Sequence, residues 1–194
     1  MNIYDWATFL AQWNTELLND DEFTDSLPEE IKSSGWLGCP GATTKQIEML
    51  EMRLGVKLPP SYHAFLSTSN GWKMTPFVRR IWSTEQVAWF HVRNQAWIDS
   101  YLASSAKSTS LPNAVSVTYD HQQTSTTIYI DHVQYTLEVS DKGDRAIYLL
   151  NPKVVADSGE WEAWFFADWL PSPKRYPSFW DLMEGEYAEW VCLH

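Results

Sequence analysis

Cysteine is almost missing from this chain: Cys39 and Cys192 are the only two, far apart and in no CxxC motif. That excludes a disulfide framework and a cysteine-ligated zinc site, and it suits a reducing compartment. Basic residues are scarce too, 14 Lys and Arg against 25 Asp and Glu, for a net charge of −11. Such a balance argues against a nucleic-acid partner, because neutralising phosphates takes a clustered basic surface. It favours solubility and would steer a basic partner. No run approaches the roughly 20 apolar residues of a spanning helix, so no membrane partner is expected. The start, "MNIYDWATFLAQWNTELL", carries Asp5 where a signal peptide has basic residues, and polar residues break up its apolar ones. A cytoplasmic protein is the expectation. Phosphate-binding loops are missing as well: "GCPG" lacks the Lys-Ser/Thr of a Walker motif, and GxGxxG does not occur. The five histidines, His63, His91, His121, His132 and His194, form neither HxH nor HxxxH. No cofactor is expected.

Rings are what the chain has in abundance: 12 Trp, 9 Tyr and 8 Phe in 194 residues, enough to build a substantial core. Trp6, Phe9, Leu10, Trp13 and Leu17 recur at the spacing of one helix face. An acidic, turn-rich connector follows. From Asp20 to Glu30 it holds Asp20, Asp21, Glu22, Asp25, Glu29 and Glu30 and no basic residue. In "ATTKQIEMLEMRLG", Thr43 and Gln46 predict a capping box, Ile47, Leu50 and Leu54 a buried row, and Gly55 a helix stop.

The next stretch, "GVKLPPSYHAFLSTSNGW", holds a diproline, a hydroxyl, a histidine and Asn-Gly, and so resembles a catalytic turn. Each residue also has a structural job. Leu58 and Pro59 precede prolines and are pushed to extended geometry. Pro60 suits the first turn of a helix, where its missing N–H costs nothing. Tyr62, Phe65 and Leu66 point inward, and Asn70-Gly71 supplies a left-handed cap. His63 is expected on the surface, with no partner at triad or metal-ligand spacing.

Ser83 and Gln86 predict a further helix start, with Val87, Phe90, Trp97 and Tyr101 as its apolar positions. "AKSTSLPNA" reads as a crossing loop. From Ala114 the pattern changes to alternation in "AVSVTYD", "STTIYIDH", "QYTLEVS" and "RAIYLLNP", which predicts antiparallel strands, with "EWEAWFFADW" as the last. A closing helix from about Ser178 places Phe179, Leu182, Met183, Tyr187 and Trp190 on one side. Helices first and strands later define an α+β fold, an antiparallel sheet with helices packed mainly on one side.

Candidate chemistry is thin. Asp120-His121 and Asp131-His132, if strand-borne, point to opposite faces and do not cooperate on a metal. The Trp-rich "GEWEAWFFADW" suggests sugar stacking, but alternation explains it more simply. Trp161, Ala163 and Phe165 share one face and Glu162, Trp164 and Phe166 the other, as in a strand covered on both sides. Glu160 and Glu162 are a carboxylate pair with no matching nucleophile.

Taken together, "GATTKQIEMLEMRLGVKLPPSYHAFLSTSNGW", "AIYLLNP", "GEWEAWFFADW" and "RYPSFWDLM" resemble, in order, the motifs of the SUKH superfamily. The resemblance runs from about Trp36 to Tyr187. It departs at "LPSPKRY", where many relatives have Pro-Gly, a change expected to affect only the turn before Tyr176. Residues 1–35 resemble extensions of longer members, and 36–194 form the SUKH-like domain. The resemblance implies a domain without enzymatic activity. Bacterial members are similar to immunity proteins that neutralise a cognate toxin, and fungal members to scaffolds regulating cell-wall glucan synthesis. A hydrolase or a sugar-binding protein is the remaining, distant alternative. The compact length favours a toxin-neutralising module whose partner is a protein toxin, a basic nuclease-type domain in the simplest case. Its expected contact surface is the connector, Asp20, Asp21, Glu22, Asp25, Glu29 and Glu30. A second candidate is the segment around Asp157, Glu160 and Asp168.

Overall fold

The computed structural model describes residues 4–78, 80–105, 130–143, 145–170 and 173–193. The expected crossing loop, the strand "AVSVTYD", most of "STTIYIDH" and the Asp120-His121 pair lie outside the described residues.

Helix α1 (Trp6–Leu18) opens at Asp5, whose carboxylate accepts from the Thr8 N–H at 3.2 Å. Its stripe is buried at Trp6, Leu10, Trp13 and Leu17. The connector is more ordered than turn residues alone suggest. It forms two short helices, α2 (Asp21–Asp25) and α3 (Glu29–Ser34). Phe23, Leu27 and Ile31, four residues apart, give this segment a buried row, and Asp20 caps α2 through the Phe23 N–H at 2.6 Å.

Helix α4 (Thr44–Leu54) has both halves of the capping box between Thr43 and Gln46, and Gly55 ends it at φ 72°. Helix α5 (Pro60–Thr68) starts at extended Pro59 with Pro60 in its first turn. It ends differently from the Asn-Gly expectation. Its C-cap is Ser69 in extended geometry, φ −142° and ψ 115°. The buried Ser69 hydroxyl donates to the Gly71 carbonyl at 2.6 Å and accepts from the Cys39 N–H at 2.9 Å, so the chain leaves the helix by side-chain bonding instead of a left-handed turn. Gly71 sits in the following loop at φ 101°, where a Cβ would come 2.9 Å from the Ile81 carbonyl oxygen.

Gln86 does accept from the Ser83 N–H and hydroxyl, at 3.3 and 3.1 Å, but only a turn follows. The chain enters strand β1 (Ala88–Trp89), and helix α6 (His91–Ser105) begins after it, with Asn94 non-helical at φ −125°. Ile130–Val133 is a short helix, α7, where alternation predicted strand. Strands β2 (Leu137–Glu138), β3 (Ala146–Val155) and β4 (Trp161–Ala167) follow. β4 is not the last strand: β5 (Lys174–Tyr176) pairs with it before helix α8 (Phe179–Leu193) closes the chain.

The sheet is open and antiparallel throughout, ordered β1-β2-β3-β4-β5. All seven residues of β4 are buried, as the two-sided alternation requires. Trp161, Ala163, Phe165 and Ala167 join the main core with α1, α4, α5 and α8. Trp164 and Phe166 face a smaller core with Phe90, Ile98 and Val133. The main core is dense with rings: Trp6 lies 5.2 Å from Phe65 and 4.7 Å from Trp180, and Tyr62 lies 4.9 Å from Phe179, all edge-on. Such pairs add roughly 0.5–1.5 kcal/mol each beyond area burial. Single bridges link Gly38 to Trp72, Trp72 to Ile81 and Ile81 to Ser140, tying the N-terminal half to the sheet. Among the described residues, no helix is long and apolar enough to cross a membrane.

Candidate functional site

The acidic residues singled out by the sequence divide into a surface set and a buried set. Asp21, Glu22, Asp25, Glu29 and Glu30 are exposed on α2 and α3. The inward row of Phe23, Leu27 and Ile31 fixes the two short helices to the core, with Phe23 edge-on to Trp190 of α8 at 5.8 Å. Lys32 is the cation of this face: its ammonium lies 3.4 Å from Glu29. Asp20 is half-buried and serves as the α2 cap, so its role is structural at least in part. Of the second candidate group, Asp157 is exposed in the turn between β3 and β4. Asp168 is paired with Arg145, whose Nε donates to it at 2.6 Å.

Glu160 leaves the surface set. It is only 4% exposed. One carboxylate oxygen accepts from the Tyr4 hydroxyl at 2.8 Å and the Ser61 N–H at 2.7 Å, and the other from the Ser61 hydroxyl at 2.6 Å. A carboxylate this far inside is tolerated because its lone pairs are met by donors at a helix N-terminus. The sequence placed it among acidic neighbours; only the tertiary fold brings Tyr4 and Ser61 to it.

Four further glutamates are buried among the described residues, Glu51, Glu138, Glu162 and Glu186, and the sequence alone assigned none of them a structural role; Glu51 accepts from the Leu58 N–H at 3.0 Å and pairs with Lys57. Glu162 accepts from Trp164 Nε1 at 2.6 Å, Arg175 Nε at 2.7 Å and Asn151 Nδ2 at 3.2 Å. Glu160, just before β4, and Glu162, within it, therefore do not act as a pair: each is locked by its own donors, Tyr4 and Ser61 for the one, Asn151, Trp164 and Arg175 for the other. Glu138 accepts from Trp82 Nε1 at 3.2 Å, Arg93 Nη1 at 2.8 Å and Asn94 Nδ2 at 2.5 Å, which pins the irregular turn of α6 to β2. Glu186 of α8 accepts from the Tyr148 hydroxyl at 2.7 Å. Burial pushes its carboxyl up to about 8; the Tyr148 hydrogen bond and Lys174 oppose that rise, and the like charge of Glu189 adds to it. Period-two and period-3.6 positions were the available signal: Glu162 lies between Trp161 and Ala163 on a two-sided strand, and Glu186 falls four residues after Leu182.

His63 is exposed on α5, as expected of a surface histidine. Asp131-His132 lies on a helix, and His132 Nδ1 is 3.3 Å from the Asn151 amide nitrogen. Among the described residues, no three His, Cys, Asp or Glu side chains are grouped to hold a metal ion. Trp161 and Trp164 are buried, so neither offers a ring face for a sugar.

What these residues define is an α+β domain whose buried carboxylates fasten elements together and whose two short helices α2 and α3 carry five exposed carboxylates. The model of the SMI1 / KNR4 family (SUKH-1) matches residues 41–185, and the chain belongs to that family. No curated protein matches the chain.

Proposed function

We propose that this protein is a non-enzymatic binding module that neutralises a cognate protein toxin by stoichiometric occlusion. The observation that carries the proposal is the run of exposed carboxylates, Asp21, Glu22, Asp25, Glu29 and Glu30, held on two short helices that are bolted to the core. Such a surface complements a basic partner whose Lys and Arg would otherwise hold substrate phosphates. Family membership supports a binding role and is equally compatible with an endogenous scaffold or regulator.

Complementary fields act chiefly on the association rate and its salt dependence. The test takes protein domains encoded by the genes neighbouring this chain's own, screens them for toxicity, and titrates any toxin found with purified protein. Protection should reach completion at a fixed ratio and fail when toxin is in excess. Protection at a small fraction of that ratio would mean turnover and would end the occlusion mechanism. Reversing Asp21, Glu22 and Asp25 to Lys should slow association most at low ionic strength. An unchanged rate would move the interface off this face. A chain that protects against no toxin but is retained through the same carboxylates by an endogenous protein belongs to the scaffold branch.

A further inference from the structure

Helix α8 carries one polar residue in its buried row. Phe179, Leu182, Met183, Glu186 and Trp190 are its buried positions, so beyond Met183 only Glu186 and Trp190 are fully covered. These two hold the last turns of the helix to the body, helped by half-buried Tyr187, whose hydroxyl accepts from Gln12 of α1 at 2.7 Å. One Glu186 oxygen accepts from the Tyr148 hydroxyl of β3 at 2.7 Å, and the other, fully buried, has no hydrogen-bond partner among the described residues. An ionised carboxylate needs donors on both oxygens to stay in an apolar core. Its surroundings do not supply them. β5 brings Tyr176 and Lys174, but the Lys174 ammonium is taken by Glu189 at 2.9 Å, and Glu189, on α8 itself, adds a like charge. β4 presents apolar Ala163 and Phe165 to this core, and Tyr62 of α5 packs on Phe179, at the far end of α8. Burial accordingly pushes the Glu186 carboxyl up to about 8. Gly185 stands directly before it, where a Cβ would come 2.7 Å from the Tyr176 ring. That close approach demands glycine, and glycine weakens a helix interior. The helix is softest beside its one buried carboxyl.

We propose that Glu186 is a proton-operated latch on α8. Protonated, it keeps the helix on the sheet and Trp190 edge-on to Phe23 of α2 at 5.8 Å. Ionised, it leaves the core for water, the helix gives way at Gly185, and Trp190 parts from Phe23. Trp190 follows Glu186 by four residues on the same helix face, so the two move together. Phe23 is the one buried residue of α2, and without its packing partner the carboxylates of Asp21, Glu22 and Asp25 lose their fixed geometry. The closed form binds a proton that the open form, with an ordinary carboxyl value of 4.5, releases. The open fraction therefore rises about tenfold per pH unit between 4.5 and 8 and levels off above. The latch goes beyond the binding role proposed above, since it works in the free chain and needs no partner.

Amide hydrogen exchange on the full chain, from about pH 6 to 9, tests this directly. Each measured rate is divided by the rate of an unstructured amide at the same pH, which gives an opening constant. In the last turns of α8 and in α2 these constants should rise together, about tenfold per pH unit up to about pH 8. Amides of α4, which open only with the whole fold, should have constants at least about tenfold smaller. Glu186→Gln cannot ionise and should remove the rise. Glu186→Met, equally unable to ionise, repeats the measurement should the amide variant not fold. A flat profile in the parent overturns the latch, and so does a rise that survives in either variant. Constants in α8 equal to those in α4 overturn it as well, since the whole fold would then be opening. A rise in α8 that α2 does not share overturns the link through Phe23.

Discussion

The Glu160 carboxylate caps helix α5 through a residue 99 positions earlier in the chain, receiving both the N–H and the hydroxyl of Ser61. Helix α5 has no side-chain cap of its own, since Pro59 occupies the N-cap. Proline at the N-cap therefore leaves the helix start without a side-chain acceptor, and Glu160, just before β4, supplies it. Tyr4 donates to the same carboxylate, so the segment before α1, the start of α5 and the start of β4 meet at one residue.

Glu160→Ala should lower stability by about 2–4 kcal/mol, because it strands buried donors at Tyr4 and Ser61. Glu160→Gln keeps an acceptor and should cost less. Urea unfolding at constant m-value measures both. Equal, near-zero costs would show that the cap contributes nothing.

Arg175→Met should be among the costliest single changes on the smaller core. It leaves the Glu162 carboxylate, 1% exposed, without its cation; breaking such a pair costs about 3–5 kcal/mol. Adding Glu162→Leu to that variant should recover part of the loss, a non-additivity that a double-mutant cycle reads directly.

Gly71→Val should destabilise by roughly 1–3 kcal/mol from backbone strain, and the contact of its Cβ with the Ile81 carbonyl should add to that. Trp161→Ala should cost about 3–5 kcal/mol as a large-to-small change in the core. His63→Ala, at an exposed position, should change neither stability nor partner binding. Loss of toxin protection in a folded His63→Ala protein would return that stretch to the list of functional sites.

Glu186 sets a pH dependence whose sign follows from its raised carboxyl. The folded state holds the proton up to about pH 8, whereas the ordinary value is 4.5. Its contribution is thus fully present below pH 4.5 and is lost as pH rises from there through 8. Glu186→Gln cannot ionise, and its oxygen can still accept from Tyr148. The variant should gain on the parent by up to about 1.4 kcal/mol per pH unit across that window, with no further gain above it. Parallel stability curves from pH 5 to 9 would contradict this.

Much of the architecture was legible because it depends on local chemistry. Thr43 with Gln46, Gly55 after Leu54 and the alternation from Trp161 to Phe166 each form as written. What was not legible depends on partners remote in sequence. Asn70-Gly71 carries a strong left-handed signal, yet the Ser69 hydroxyl finds Cys39 and the helix ends in extended geometry. Ser83 and Gln86 make the bonds of a helix start, but Val87 is drawn into the core and the chain continues as strand. β5 is three residues long, too short for any period to register. For the candidate surface, charge counts located Asp21, Glu22, Asp25, Glu29 and Glu30 correctly on the outside and misplaced Glu160, because nothing local distinguishes a carboxylate that finds Ser61 from one that finds water.

The bridges from Gly38 through Trp72 and Ile81 to Ser140 join four segments scattered along most of the chain. Closing such remote contacts costs loop entropy before it returns any energy, which slows folding relative to helical proteins of similar size. The N-terminal helices cannot complete their packing until β2 and the strands after it have emerged from the ribosome. The acidic face of α2 is consequently fixed only late, once α8 is in place and Phe23 can pack edge-on against Trp190.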